Sequence, residues 1–149
     1  MLFYLIYFSK ARTLMEADDL TGLLNKSRIN NLADGITGML LYMEGRYFAD
    51  YEGRFMQVLE GSELNVKNVF EKIKKDERHQ GILILRESFQ MNRSFPDWTM
   101  GFKAVNAEEY QQLSGFFPLE NSFLLKENAQ EGNVALDFLK SFYEVANKL

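Results

Sequence analysis

Leu2-Phe3-Tyr4-Leu5-Ile6-Tyr7-Phe8-Ser9 is aromatic or aliphatic at odd and even positions alike. A strand turns successive side chains to opposite faces, so a run without alternation needs cover on both sides. It is expected as a central strand between two layers. Outward from it, apolar residues fall at helical spacing from about 13 to 32. Leu20 and Leu24 share one face, and Ser27 and Asn31 continue that face, so this helix presents polar groups toward the core. Gly35-Ile36-Thr37-Gly38-Met39-Leu40-Leu41-Tyr42 reads as a second strand entered through glycines, and Phe55 to Glu60 as a third, with a hairpin between them. Ser62 is placed to cap a second helix carrying Val66, Val69, Phe70 and Ile73 on one side, which ends near Lys74-Lys75-Asp76-Glu77-Arg78-His79. Ile82-Leu83-Ile84-Leu85 follows as a buried strand, and Phe95 to Phe102, with Pro96 near its start, as a fifth. After a loop-like stretch over 127–132, Ala135, Phe138, Leu139, Phe142, Val145 and Ala146 mark an amphipathic helix.

The order strand, helix, strand, strand, helix, strand, strand is an α+β pattern with both long helices on one side of the sheet. We expect a ferredoxin-like βαββαβ fold plus a fifth strand in a mixed sheet, with the C-terminal helix on the opposite face. Residues 1–103 would form the main domain, and 104–149 a helical extension packed on it. A length of 149 residues suits one core and leaves no room for a second catalytic domain. Within the hairpin, Glu44-Gly45-Arg46-Tyr47-Phe48-Ala49 recurs as Glu52-Gly53-Arg54-Phe55-Met56-Gln57, a period of eight.

Composition excludes several kinds of chemistry. A net charge of −4 with no basic stripe disfavours nucleic acid. The absence of cysteine excludes disulfides, thiolate nucleophiles and Cys-based zinc sites, and fits a reducing compartment. The apolar N-terminus lacks a basic n-region and is too short to span a bilayer, so a cytoplasmic protein without membrane attachment is expected. His79 is the single histidine, which rules out His-pair metal sites, and no metal is expected. There is no Gly-x-Gly-x-x-Gly run or P-loop, so any dinucleotide must bind another way. Aromatic residues make up 14% of the chain. They could fill a core or flank a flat aromatic cofactor.

The informative anomaly lies on the third strand, where Phe55, Gln57 and Leu59 share one face. A glutamine among apolar neighbours needs a partner, because an unpaired buried amide costs about 1–3 kcal/mol. Tyr7 and Asn31 also bring polar groups toward the core. Three such groups from three elements suggest one polar pocket.

Six segments together resemble the BLUF domain in order and spacing: Leu5-Ile6-Tyr7-Phe8-Ser9, Ser27-Arg28-Ile29-Asn30-Asn31, Gly35-Ile36-Thr37-Gly38, Gln57-Val58-Leu59-Glu60-Gly61, Asp76-Glu77-Arg78-His79 and Trp98-Thr99-Met100. The resemblance runs from about Leu2 to Phe102. It departs between Tyr42 and Gln57, where this chain is eight residues longer, the extra stretch being Arg46 to Gly53. The resemblance implies a blue-light photoreceptor that binds FAD non-covalently between its two helices. Tyr7 would donate an electron and a proton, and Gln57 would rearrange; these two are the expected switch pair. Asn31 would hold the flavin's pyrimidine edge, with Ser27, Arg28 and Asn30 in the same binding segment. Leu23 and Ile73 would sandwich the ring. Lys72, Asp76, Arg78 and His79 would line its edge and ribityl-phosphate side. Each has a plain alternative: Leu23 and Ile73 as core, and the charged set as a solvated helix end.

Trp98 and Met100, on one face of the fifth strand, would relay the change; Trp98 could equally be core packing. The output would run through a separate effector protein or a homo-oligomer, and the protein would not be an enzyme. The competing reading is a small hydrolase or flavin reductase on the same scaffold, since fold does not dictate function.

Overall fold

A computed structural model describes residues 1–47, 50–96 and 100–106. The elements run β1 (Leu2–Ala11), α1 (Ala17–Asp34), β2 (Thr37–Tyr47), β3 (Asp50–Gly61), α2 (Glu63–Lys74), β4 (His79–Gln90) and β5 (Gly101–Asn106). The strands form one sheet in the order β4-β1-β3-β2-β5. Its first four members are antiparallel, and β5 pairs parallel with β2. This is the expected ferredoxin-like α+β arrangement in a mixed sheet. Residue 103, where the main domain was expected to end, lies within β5. The C-terminal helix expected on the far face lies outside the described residues.

β1 lacks alternation because both of its faces are buried. Phe3, Leu5 and Tyr7 join Leu40, Phe55, Leu59, Leu24, Val66 and Phe70 in the core on the helix side. Ile6 and Phe8 lie with Met39, Leu41, Met43, Met56 and Val58 on the other face, each almost fully buried. Register fixes which side chains share a face: Tyr7 pairs with Gln57, and Gln57 with Leu40, so all three point toward the helices. β2 and β3 approach so closely at Gly38 that a Cβ there would fall 2.0 Å from the Val58 carbonyl oxygen.

The first helix starts later than the apolar pattern suggests. The Met15 amide donates instead to the Tyr42 hydroxyl (2.9 Å), and the Glu16 amide to the Asp19 carboxylate (3.1 Å). Only beyond them does the backbone close helical turns. The helix ends at Gly35, whose φ of 65° is left-handed. There the Ile36 amide reaches back to the Asn31 carbonyl (2.8 Å) and the Gly35 amide to the Leu32 carbonyl, a Schellman closure. α2 begins as expected, with the Ser62 hydroxyl accepting from the Asn65 amide (3.2 Å), a cap worth about 1 kcal/mol. The Asn65 side chain donates to the Asp34 carbonyl (2.8 Å), tying the start of α2 to the end of α1.

Two strands depart from expectation. β4 is an edge strand of 12 residues, and of Ile82 to Leu85 only Leu85 is fully buried. Among the described residues β4 has one strand neighbour, and so less cover than the apolar run implied. The fifth strand does not span Phe95 to Phe102 but begins at Gly101. The reason is local: the Ser94 and Phe95 amides donate to the Glu60 carboxylate (2.8 and 2.7 Å), and Pro96 has no amide to give. Those donors serve a side chain rather than a ladder. Met100 therefore stands just before β5 and not within it.

Candidate cofactor site

A cleft of about 340 Å³ opens between α1, α2 and the sheet. Its floor is Tyr7 from β1, Leu40 from β2, and Phe55, Gln57 and Leu59 from β3. One wall comes from α1 (Leu23, Lys26, Ser27, Asn30, Asn31, Asp34), the other from α2 (Val69, Lys72, Ile73), and Asp76, Arg78 and His79 close one end. Tyr7, Asn31, Gln57 and His79 are buried, whereas Lys26, Lys72 and Arg78 are exposed.

The orientation of Gln57 follows from what its neighbours can offer. Its amide nitrogen lies 3.3 Å from the Met100 sulfur, and a thioether has no hydrogen to donate. The amine end must therefore face Met100, which turns the amide oxygen toward Tyr7, whose hydroxyl donates to it. Burial, aided by the negative charge of Asp76, pushes the Tyr7 phenol well above its ordinary value. Tyr7 is thus a neutral donor at any physiological pH.

His79 reaches the cleft because β4 is bulged. The β1–β4 register slips between Phe8 and Lys10, beside Gly81, whose φ is 62°. That extra residue reverses side-chain parity, so His79 shares the helix-side face with Ala11. Its Nε2 donates to the Ile73 carbonyl (2.6 Å), which can only accept, and its Nδ1 lies 2.8 Å from the Ser9 hydroxyl. The imidazole so ties the end of α2 to β1. Alongside, Arg78 grips both oxygens of Asp76 (2.6–3.1 Å), and these bonds hold the Asp76 carboxyl below its usual range.

All but one of the twelve residues expected around a cofactor line this cleft. The exception is Arg28, which is exposed and donates through Nε to the Met100 carbonyl (3.0 Å). One helical position beyond Ser27, its side chain leaves the cleft wall. Trp98 lies outside the described residues. Sequence reading missed Lys26, Asp34, Leu40, Phe55, Leu59 and Val69 as lining. Lys26 and Asp34 had a usable signal, since each stands four residues from Asn30, on the same helical face.

Leu23 and Ile73 stand on opposite walls over a floor with polar groups at its base, and cations sit at exposed positions. Apolar walls, convergent hydrogen-bonding groups and outlying positive charge fit a flat heteroaromatic head carrying an anionic tail. A family model described as "Sensors of blue-light using FAD" matches residues 2–101. The chain belongs to the BLUF family. As a BLUF sensor it is 28% identical to BlrB in its dark-state structure, with a TM-score of 0.68 over 99% of this chain and 97% of that one. To BlsA in its photo-activated state it is 31% identical, with a TM-score of 0.66 over 94% and 95% of the two chains. Photoactivated adenylate cyclase subunit beta of Euglena longa is 30% identical over 118 residues, 78% of this chain. The chain spans 12% of the length of that curated relative. Among the described residues, no helix is long and apolar enough to cross a membrane.

Proposed function

We propose that the chain is a light-operated hydrogen-bond switch that signals to another polypeptide or to a second copy of itself, and that it turns over no substrate. The observation that carries this reading is the line Tyr7–Gln57–Met100, in which one amide accepts from a phenol and donates to a thioether. FAD in the cleft would supply blue-light absorption and an electron acceptor. A phenol that loses an electron becomes strongly acidic, so Tyr7 releases its proton along the bond it already makes to Gln57. The Gln57 amide has a donor and an acceptor end of nearly equal shape, and rotation or tautomerisation reverses its polarity with little steric change. After such a change the amide no longer donates to the Met100 sulfur.

Asn31, Ser27 and Asn30 would meet the polar edge of the ring, Leu23 and Ile73 its faces, and Lys72 and Arg78 the anionic tail. Asp76 and His79 act on the site by fixing Arg78 and the end of α2. Photoactivated adenylate cyclase is the name of one relative, which supports an output through an effector here.

An absorption spectrum before and after blue light tests the reading. The purified protein should be yellow and show a small, reversible red shift; with no cysteine present, no thiol adduct can form. A spectrum that bleaches, or does not change, overturns it.

A further inference from the structure

We infer that Arg28 is a positioning residue for the switch, holding the main chain of Met100 where the Gln57 amide can reach its sulfur. Met100 is buried and gripped twice, by Gln57 at its sulfur and by Arg28 at its carbonyl oxygen. The two grips differ in strength. A thioether is a weak acceptor, whereas a guanidinium donating to a carbonyl makes a charge-assisted bond about twice as strong as a neutral one. The Arg28 bond therefore fixes where Met100 sits, and the Gln57 bond reports on it.

Among the described residues, the other bonds on this segment fall to either side of Met100. Upstream, the segment is fastened by the Ser94 and Phe95 amides on the Glu60 carboxylate and by Arg93 on the Gly35 carbonyl (2.8 Å). Downstream, β5 ends the sheet order among the described residues, with β2 as its ladder partner. The Met100 methyl lies 3.3 Å from where a Gly38 Cβ would stand, so it packs closely over the bare backbone of residue 38. Arg28 also leaves α1 between two cleft-lining positions, Ser27 and Asn30. A shift in the seat of α1 and a turn of Gln57 thus converge on the same residue.

Arg28 is exposed, so its replacement should not unfold the protein. The test compares the FAD-loaded wild type with Arg28→Met, which keeps the stem without a donor, and Arg28→Lys, which restores one. Expected for Arg28→Met are unchanged FAD retention and roughly tenfold faster amide exchange over Gly101–Asn106 in the dark. The Gln57 side-chain amide resonance should also shift, and Arg28→Lys should return both signals toward wild type. Wild-type exchange and an unmoved Gln57 resonance in Arg28→Met would overturn the inference, as would loss of FAD, which would make Arg28 a cofactor ligand. These dark measurements do not need the photocycle; only the expected loss of a light-minus-dark difference at β5 rests on the switch reading. A wild type without a red shift would sink that reading alone, leaving the dark exchange to decide Arg28.

Discussion

Gln57 works as a switch only if its two ends meet partners of different character, and Tyr7 and Met100 provide that asymmetry. Replacing Gln57 by Leu keeps the bulk but leaves the buried Tyr7 hydroxyl without its acceptor, at a cost of about 1–3 kcal/mol. Tyr7→Phe removes the donor instead. Both variants should fold, retain FAD and lose the red-shifted state. Flash spectroscopy of either variant showing a wild-type photocycle would remove that residue from the mechanism. The candidate pair was legible from sequence, because a glutamine and a tyrosine on core-facing positions are conspicuous. The rest of the geometry was not: the Met100 contact joins residues 43 positions apart, and the turn that brings it there depends on Glu60.

At the scale of elements, the β2–β3 hairpin carries Arg46 to Gly53, the eight residues by which this chain was expected to exceed the family pattern. Its pairing continues outward to Tyr47 opposite Asp50, and Tyr51 on the arm is half exposed. The internal repeat pairs crosswise, Glu44 opposite Gly53 and Gly45 opposite Glu52. Deleting Arg46 to Gly53 would leave Met43 opposite Arg54 with Glu44-Gly45 as a two-residue turn. The offset is even, so Gln57 keeps its face. The deletion variant should remain yellow and photoreversible, with any loss confined to assembly or partner binding; loss of the red shift would show that the arm supports the site.

The α2–β4 corner yields a pH prediction. The folded-state carboxyl of Asp76 is depressed, first by the Arg78 hydrogen bonds. Its contribution to stability is therefore present above about pH 4, the ordinary carboxylate value, and is lost as pH falls through the lower folded value. Urea midpoints measured across that range should drop less steeply for Asp76→Asn than for wild type. Equal slopes would refute the assignment.

Across the whole molecule, the sheet links the cleft to the far face. Gln57 and Glu60 lie three residues apart on β3 with side chains on opposite faces, the first bonded to Tyr7 and Met100 and the second to the segment leading to Met100. A change at Gln57 is thus positioned to alter β5, which ends the sheet order among the described residues. We expect size-exclusion chromatography with light scattering, alone or with a cell extract, to show a light-dependent change in mass. A strict monomer with no light-dependent partner would count against output by assembly.

The sequence by itself determined the element order, the two-faced burial of β1 and the Tyr7, Asn31 and Gln57 constellation. All three rest on side-chain periodicity read one element at a time, which marks each residue as core-facing and is encoded directly in residue order. Tertiary structure decided what requires two elements at once. The Gly81 bulge turns His79 inward by adding one residue relative to β1, a mismatch visible only when the strands are paired. Arg28, turned off the cleft wall by its helical position, donates a hydrogen bond to a carbonyl 72 residues later. β5 starts late because Glu60 has already taken the amides that would have begun it. Hydrogen bonds between distant residues form only where folding has brought donor and acceptor together, and no local pattern records them.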